Sequence, residues 1–536
     1  MTDRRLDLAT PAPRAAWGDR EGPWIPDTIG RTARAAEAAW KPDPDPRFPD
    51  TVLDHGTVGD ITAMACAARG AKHRFEGTSR EDAAIAVEAV GSWALAAVAD
   101  GVGSVHDSRL ASEEAVRVFA RYMSRRIADS GERALTQGSG LFGEINRALG
   151  KLTGPKTTLT VAVVAAHPDG TGRYPFWAAS VGDSPAYLIS EGETHGLLIA
   201  EREDEFGTAT AALPNHDIAN VFKQIRGELL PGEALMLVSD GIGDLMASEG
   251  PQRYFADNWG LVPSPLDLMR QVQVRSRGFD DDRSAAVLWA VPENADKAPS
   301  LRPSAAMKPG GPVVRDVELS AAQTRGLEVR AAAARGAVAA AEGRARRSRV
   351  SLLEYGDRLV AIATAPVRPD AAEAADLWAR TFKETADNRP LLDPFEDWWA
   401  PRVWTQALRS LSEKDPNFDS GAVAATILCV EPASDGMVDY TLSHSAGLSA
   451  SIAGAGLHRE LAELRSPEHH HDYGEHELWI YSDRLAEDQT LLLTYGIDPA
   501  CIAEADSRPG PLQTFDVVDR ETGDDDQFMV AVWGAR

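Results

Sequence analysis

The apolar run Leu95-Ala96-Ala97-Val98-Ala99 stops on Asp100-Gly101, and a glycine-bearing turn, Val102-Gly103-Ser104, follows. A short apolar run bounded by turn residues reads as a buried strand. The same pattern recurs along the chain. Ala234–Val238 is followed by Ser239-Asp240-Gly241, and Phe176–Val181 by Gly182-Asp183-Ser184. Asp280-Asp281-Asp282 stands just before the apolar run Ser284–Val291. One Asp-Gly is an ordinary turn. Four acids at strand ends, with few lysines or histidines beside them, constrain the chain far more. They call for a fold that gathers sheet ends, and for an all-oxygen site that suits hard divalent cations.

A chain of 536 residues is expected to form two domains. A net charge of −26 argues against a nucleic-acid or anionic-membrane surface. Cys66, Cys429 and Cys501 lack ligand-like spacing and read as free thiols of a reducing compartment. Met1–Arg14 has no apolar signal core and no run reaches the length of a membrane span, so a cytoplasmic location is expected.

Residues 1–50 read as a leader, with a short helix over Arg31–Trp40 and with Trp17, Trp24 and Trp40 docking it. Residues 51–295 mix strands and helices. Strands are expected at Asp60–Ala68, Ala83–Val90, Trp93–Ala99, Thr157–Ala166, Tyr174–Val181, Ala186–Ser190, Ala234–Val238 and Ser284–Val291. The stretch Arg69–Asp82 reads as turn-rich. Arg109–Ile127 and Leu141–Leu152 read as amphipathic helices, and residues 191–230 as an irregular flap over the site. Strands in hairpin-like pairs, with helices inserted as a pair, favour an α+β fold of antiparallel sheets faced by helices.

Glu81-Asp82, Asp100-Gly101, Gly182-Asp183-Ser184, Ser239-Asp240-Gly241 with Asp244, and Asp281-Asp282 fall in an order and spacing that resembles the metal-dependent protein phosphatases of type 2C, the PPM family. The resemblance covers roughly residues 58–292. It implies a four-layer sandwich of two antiparallel sheets flanked by helix pairs, and hydrolysis of phosphoserine and phosphothreonine with two or three Mn2+ or Mg2+ ions. It makes Asp100 the carboxylate bridging two metals, with the Gly101 carbonyl on one of them. Asp240 and Asp281 become ligands of the other metal, and Glu81 and Asp82 ligands held partly through water. Asp183, Asp240 and Asp244 resemble a looser third-metal set. Such acids suit the chemistry, since paired hard cations lower the pKa of a shared water and aim it at phosphorus. The family's phosphate-binding arginine falls on Gly77 here. Arg74 is the expected replacement, with Arg80 or Arg69 as substitutes, and Arg74 is grouped with Asp100 and Asp240 as catalytic. No general acid is evident after Asp100-Gly101. His73 and His106 are the near histidines, each read first as exposed or satisfied in the core.

Prolines and glycines through residues 296–318 mark a linker. Residues 319–536, laid against the first half, read as a repeat of it. Ala67-Ala68-Arg69-Gly70-Ala71 is echoed by Ala333-Ala334-Arg335-Gly336-Ala337, Leu95–Ala99 by Leu359–Ala363, and Asp280-Asp281-Asp282 by Asp524-Asp525-Asp526. In this alignment Asp82 falls near Ser351, Asp100-Gly101 on Thr364-Ala365, Asp183 on Gly447 and Asp240 on Tyr495. The second copy is therefore expected to be a degenerate, catalytically dead phosphatase-like domain. The run Glu468–Asp472, with His476, reads as a solvated loop before it reads as a metal site. Two function classes stay open. One is an active phosphatase that acts on phosphorylated proteins opposite a Ser/Thr kinase of the same pathway, its two halves packed as a pseudo-dimer. The other is a non-catalytic module that binds phosphoproteins or partners.

Overall fold

In the computed structural model, residues 49–103, 107–131, 138–152, 154–199, 211–276 and 278–292 of the first half are described. In the second half the elements named below are described, with scattered flanking positions. The leader helix, its tryptophans, most of the linker, His106, Gly447, Tyr495's successor Gly496, Asp524–Asp526, Glu468, His469 and His476 lie outside the described residues.

The first half opens with Thr51–Val58 (β1) and Ile61–Ala68 (β2), a short helix Ala71–Glu76 (α1), then Ala83–Ala89 (β3) and Trp93–Ala99 (β4). Helices Ser108–Ser130 (α2) and Gly138–Leu149 (α3) lead to Leu159–Ala165 (β5), Tyr174–Val181 (β6), Ala186–Ser190 (β7) and Glu193–Leu198 (β8). Ile218–Val221 (α4), Lys223–Leu229 (β9), Ala234–Val238 (β10), Asp240–Gly243 (α5), Glu249–Trp259 (α6), Pro265–Val272 (α7) and Arg283–Ala290 (β11) complete it. The second half contains Val317–Thr324 (β12), Leu327–Ala334 (β13), Arg349–Tyr355 (β14), Arg358–Pro366 (β15), the helix Trp399–Lys414 (α8), Val423–Pro432 (β16), Val438–His444 (β17), Ser449–Gly454 (β18), Leu457–Glu460 (β19), His470–Asp472 (β20), Glu477–Leu485 (β21), Gln489–Tyr495 (β22) and Gln527–Gly534 (β23).

Strand alternation explains the layers. On β4, Ala94, Ala96 and Val98 face the large sheet, where they meet Leu235, Leu237, Ala286 and Leu288. Leu95, Ala97 and Ala99 face α2 and α3, against Val118, Phe119 and Leu141. The other side of the large sheet is covered by α6 and α7 through Phe255, Trp259, Leu268 and Met269. The first half is therefore helices, sheet, sheet, helices, with every sheet antiparallel. Strands buried on both faces carry unbroken apolar runs, which is why β4, β5, β6, β10 and β11 were legible.

Three expectations are corrected. The turn-rich stretch holds α1, which starts after Gly70 and stops at the left-handed Gly77 (φ 76°). A strand precedes Asp60: β1 is nearly all buried, but Asp54, His55 and Gly56 interrupt its apolar pattern. The described residues within 191–230 are not one irregular flap. They contribute β8 and β9, largely exposed strands at sheet edges whose polar sequences carry no strand period.

The two halves share one 12-stranded sheet, ordered β19-β18-β22-β23-β13-β12-β1-β2-β11-β10-β7-β8. They meet where β1 pairs antiparallel with β12, Thr51 opposite Leu319 and Leu53 opposite Val317. Outward from that seam the order β12-β13-β23-β22-β18-β19 runs parallel to β1-β2-β11-β10-β7-β8, and β14-β15-β16-β17-β21 parallel to β3-β4-β5-β6-β9. Were the second half a copy of the first, register would shift the expected alignment. Leu95 faces helices whereas Leu359 faces the other sheet, so Val360, packed against α8, would be its counterpart. Ala365 would then stand level with Asp100. Ala83 pairs with Ala99 as Arg349 pairs with Thr364, which would put Ser348 at the Asp82 position. Val238 opposite Ala285 compares with Thr494 opposite Met529, so counting along the sequence would give Gly496 for Asp240.

Candidate metal centre

Five strand ends of the two facing sheets converge at one edge of the first half. Asp82 stands just before β3, Asp100 just after β4, Asp183 after β6, Asp240 at the start of α5 after β10, and Asp281 before β11. Alternation from Val98 turns the residue after Ala99 toward the space between the sheets.

The Asp100 backbone is held on both sides. Its N–H donates to Thr158 Oγ1 (3.2 Å), and its carbonyl accepts from Thr158 N and from Thr157 Oγ1 (both 2.8 Å). Thr158 Oγ1 also meets Ser184 Oγ at 2.8 Å, which ties the β6–β7 turn to the same point. Asp82 is fully buried, and its carboxyl takes hydrogen bonds from Ser284 Oγ (2.9 Å) and from Ser239.

The carboxyl of Asp100 lies within hydrogen-bonding reach of both Asp82 and Asp240. Burial raises all three carboxyls; the charges of Asp282 and Asp240 add to this at Asp82, and those of Asp82 and Asp240 at Asp100, so both stand well above the usual carboxylate range. Burial also raises Asp240, to about 6; the hydrogen bond from Asp100 works against this, while Asp183, Asp281 and Asp244 add to it. Carboxyls in such contact cannot all be ionised unless something positive stands among them. A proton or a hard cation serves. Among the described residues no three acids are already spaced as a metal cage. Their all-oxygen chemistry nevertheless fits Mn2+ or Mg2+.

Glu81 sits half-buried beside the turn, its carboxyl close to Gly103 and near Ser108. Burial raises its pKa, while Ser108 and His73 pull the other way. Glu81, Asp82, Asp100, Gly101, Asp183, Asp240, Asp244 and Asp281 therefore converge on one region. The expected arginines are buried in bonds to neighbouring groups. Arg74 is buried, with its Nη2 3.3 Å from Gln273 Oε1 at the end of α7. Burial lowers its pKa to about 10. Arg80 is also buried, donating to the carbonyls of Pro49 and Asp82 and to Glu113. Both arginines serve the fold.

Two residues outside the expected set matter. Asp282, 3% exposed, accepts from Gly70 N (2.6 Å) and Glu81 N (2.5 Å) and so clasps β11 to the Glu-Asp turn. His73 lies between the Ser79 carbonyl (Nδ1, 2.8 Å) and Asp281 (Nε2, 3.4 Å). Burial lowers the imidazole's pKa, but Asp281 and Asp282 outweigh it and hold it at about 10. Two glycines permit the close approach. A Cβ on Gly70 would stand 2.3 Å from the Asp281 carbonyl carbon, and one on Gly241 2.0 Å from Asp282 O.

Residues 69–269 match the family model of protein phosphatase 2C. The N-terminal half thus belongs to the protein phosphatase 2C family. Among solved structures the chain is similar to the serine/threonine phosphatase PstP/Ppp of Mycobacterium tuberculosis, at 18% identity over 43% of this chain and 99% of that one, with a TM-score of 0.29. It is similar also to the PPM Ser-Thr phosphatase MsPP of Mycobacterium smegmatis, at 20% identity over 43% and 99%, TM-score 0.25. The phosphatase domain of SpoIIE from Bacillus subtilis with a fragment of its regulatory domain aligns at 15% identity over 45% of this chain, TM-score 0.29, and the match spans 62% of that chain. No curated protein matches the sequence. Among the described residues no helix is long and apolar enough to cross a membrane.

Proposed function

We propose that the chain is a metal-dependent phosphoserine/phosphothreonine protein phosphatase whose C-terminal half is a degenerate copy of the same fold. The observation that carries the reading is the meeting of Asp82, Asp100 and Asp240, carboxyl to carboxyl, at converging strand ends. Asp100 would be shared by two ions, with Asp240 and Asp281 on one and Glu81, Asp82 and the Gly101 carbonyl serving the other. Bound there, Mn2+ or Mg2+ would supply a water of lowered pKa and offset charge developing on the phosphoryl oxygens. The protein's share is positional. Thr157 and Thr158 fix the Asp100 backbone, Ser239 and Ser284 orient Asp82, and Asp183 and Asp244 add negative charge beside Asp240. The parallel strand orders support the reading of two copies. Ser348 and Ala365 at the Asp82 and Asp100 levels support the loss of a site in the second, whose role would be regulation or substrate docking.

A second reading, a non-catalytic phosphoprotein-binding module, draws on the burial of Arg74 and Arg80 in bonds to Gln273, Pro49, Asp82 and Glu113. Hydrolysis of an aryl phosphate and of a phosphopeptide, with Mn2+, with Mg2+ and with chelator, decides between them. Turnover that needs metal and vanishes in Asp100→Ala and Asp240→Ala sustains the phosphatase. Mn2+ binding without turnover on any substrate would leave the binding module.

A further inference from the structure

The last residues before β1 are gripped by two buried arginines. The Asp50 carboxylate lies 2.8 Å from Arg69 Nη1, and the Asp50 carbonyl accepts from Arg69 N at 2.7 Å. Their side chains are 3% and 0% exposed. The Pro49 carbonyl accepts from Arg80 Nε at 3.3 Å. Lys41 joins the same group. Its carbonyl accepts from Arg69 Nη1 and its N–H donates to the Arg74 carbonyl, both at 2.9 Å. Each arginine then leads toward the acids. Arg69 Nη2 donates to the His73 carbonyl in α1 at 3.0 Å, and Arg80 Nη1 donates to the carbonyl of Asp82.

The opposite side of α1 touches three successive acids. Gly70 N, at the helix start, donates to Asp282 Oδ1 at 2.6 Å, and Lys72 N donates to the Asp280 carbonyl at 3.0 Å. Between them, His73 Nε2 stands 3.4 Å from Asp281 Oδ1. A helix of six residues is too short to hold itself. Apolar packing does not anchor it either. Its buried residues are His73 and Arg74, and Phe75 is 60% exposed. No side chain caps its start. Polar bonds at its two sides therefore set its place, and the Asp50–Arg69 pair is the charged one among those on the side away from the triplet. Removing one member of a buried ion pair leaves the other uncompensated, so the pair resists displacement.

We propose that the stretch before β1 is part of the metal centre: Asp50, through Arg69, holds α1, and α1 holds the ligand Asp281. Asp50 and Arg69 are positioning residues, and the inference rests on the two-metal reading of the site. It is tested on the full chain by Mn2+ titration calorimetry with urea unfolding alongside. Outer-shell partners of a metal ligand change affinity by about 10- to 100-fold, so Arg69→Met is expected to weaken one Mn2+ binding step about tenfold. That step should be the one weakened by Asp281→Asn, with the other step unchanged. Asp50→Asn, which keeps an acceptor oxygen and loses the charge, should weaken the same step by less. The double variant should bind no more weakly than Arg69→Met alone, because the two residues act as one pair. Should Arg69→Met not fold, Asp50→Asn carries the comparison with Asp281→Asn. A lowered urea midpoint with unaltered Mn2+ affinity would show a purely structural pair and overturn the proposal, as would an equal loss in both binding steps. A wild-type chain that binds no Mn2+ overturns the two-metal reading as well.

Discussion

Replacing Asp282 with alanine probes how the site is built. Its buried carboxylate accepts backbone N–H groups of Gly70 and Glu81 at 2.6 and 2.5 Å. A hydrogen bond to a charged group contributes about 1.5–3 kcal/mol, and a buried donor left without a partner loses the full benefit. Two such bonds give about 3–6 kcal/mol. The lower end is expected, because the same change removes a charge that acts on Asp82. Against a typical domain stability of about 5–15 kcal/mol, the loss is large. It should appear as an earlier first transition in urea, followed by tryptophan fluorescence. Asp282→Asn keeps one acceptor oxygen and should lose about half as much. An Asp282→Ala chain within about 1 kcal/mol of wild type would refute the clasp.

Further outcomes follow from the same geometry. Asp82, Asp100 and Asp240 have carboxyls raised above their ordinary range, so the stability they contribute is full below the unfolded value of about 4 and is lost as pH rises through the folded values, about 6 for Asp240. In chelator the melting temperature should fall from pH 5 to pH 8, less steeply in Asp100→Asn, and Mn2+ should restore more at pH 8 than at pH 5; the opposite slope would count against the cluster. Gly241→Ala places a Cβ 2.0 Å from Asp282 O, and overpacking of this kind costs about 1–3 kcal/mol or more, measurable by thermal unfolding. A fragment ending at residue 292 exposes the β1 edge and removes Val317, Leu319 and Met529 from a shared core, so it should self-associate on size-exclusion chromatography; a stable monomer would contradict this. Cys66 and Cys429 are buried with their thiols pushed up, and should react with a thiol reagent only on unfolding.

What the sequence made legible follows burial. Strands packed on both faces, such as Ala234–Val238, carry unbroken apolar runs and were readable to the residue. β8 and β9, exposed along much of their length, have no apolar face to repeat, and β1 hides its burial behind Asp54 and Gly56. The acids were readable because each follows or precedes such a run. The arginines were not, since their direction depends on the turn of α1, six residues with no apolar signature. Asp282 was visible in the triplet Asp280–Asp282, but only the fold reveals which of the three faces inward to two amides.

The seam at β1 and β12 has one more consequence. Antiparallel pairing of the leading strands of two alike sheets is what a two-fold axis produces between separate chains. Here the partners are tethered, so the second half is present at a fixed local concentration that dilution cannot lower. Any influence it exerts on the first half is then independent of protein abundance.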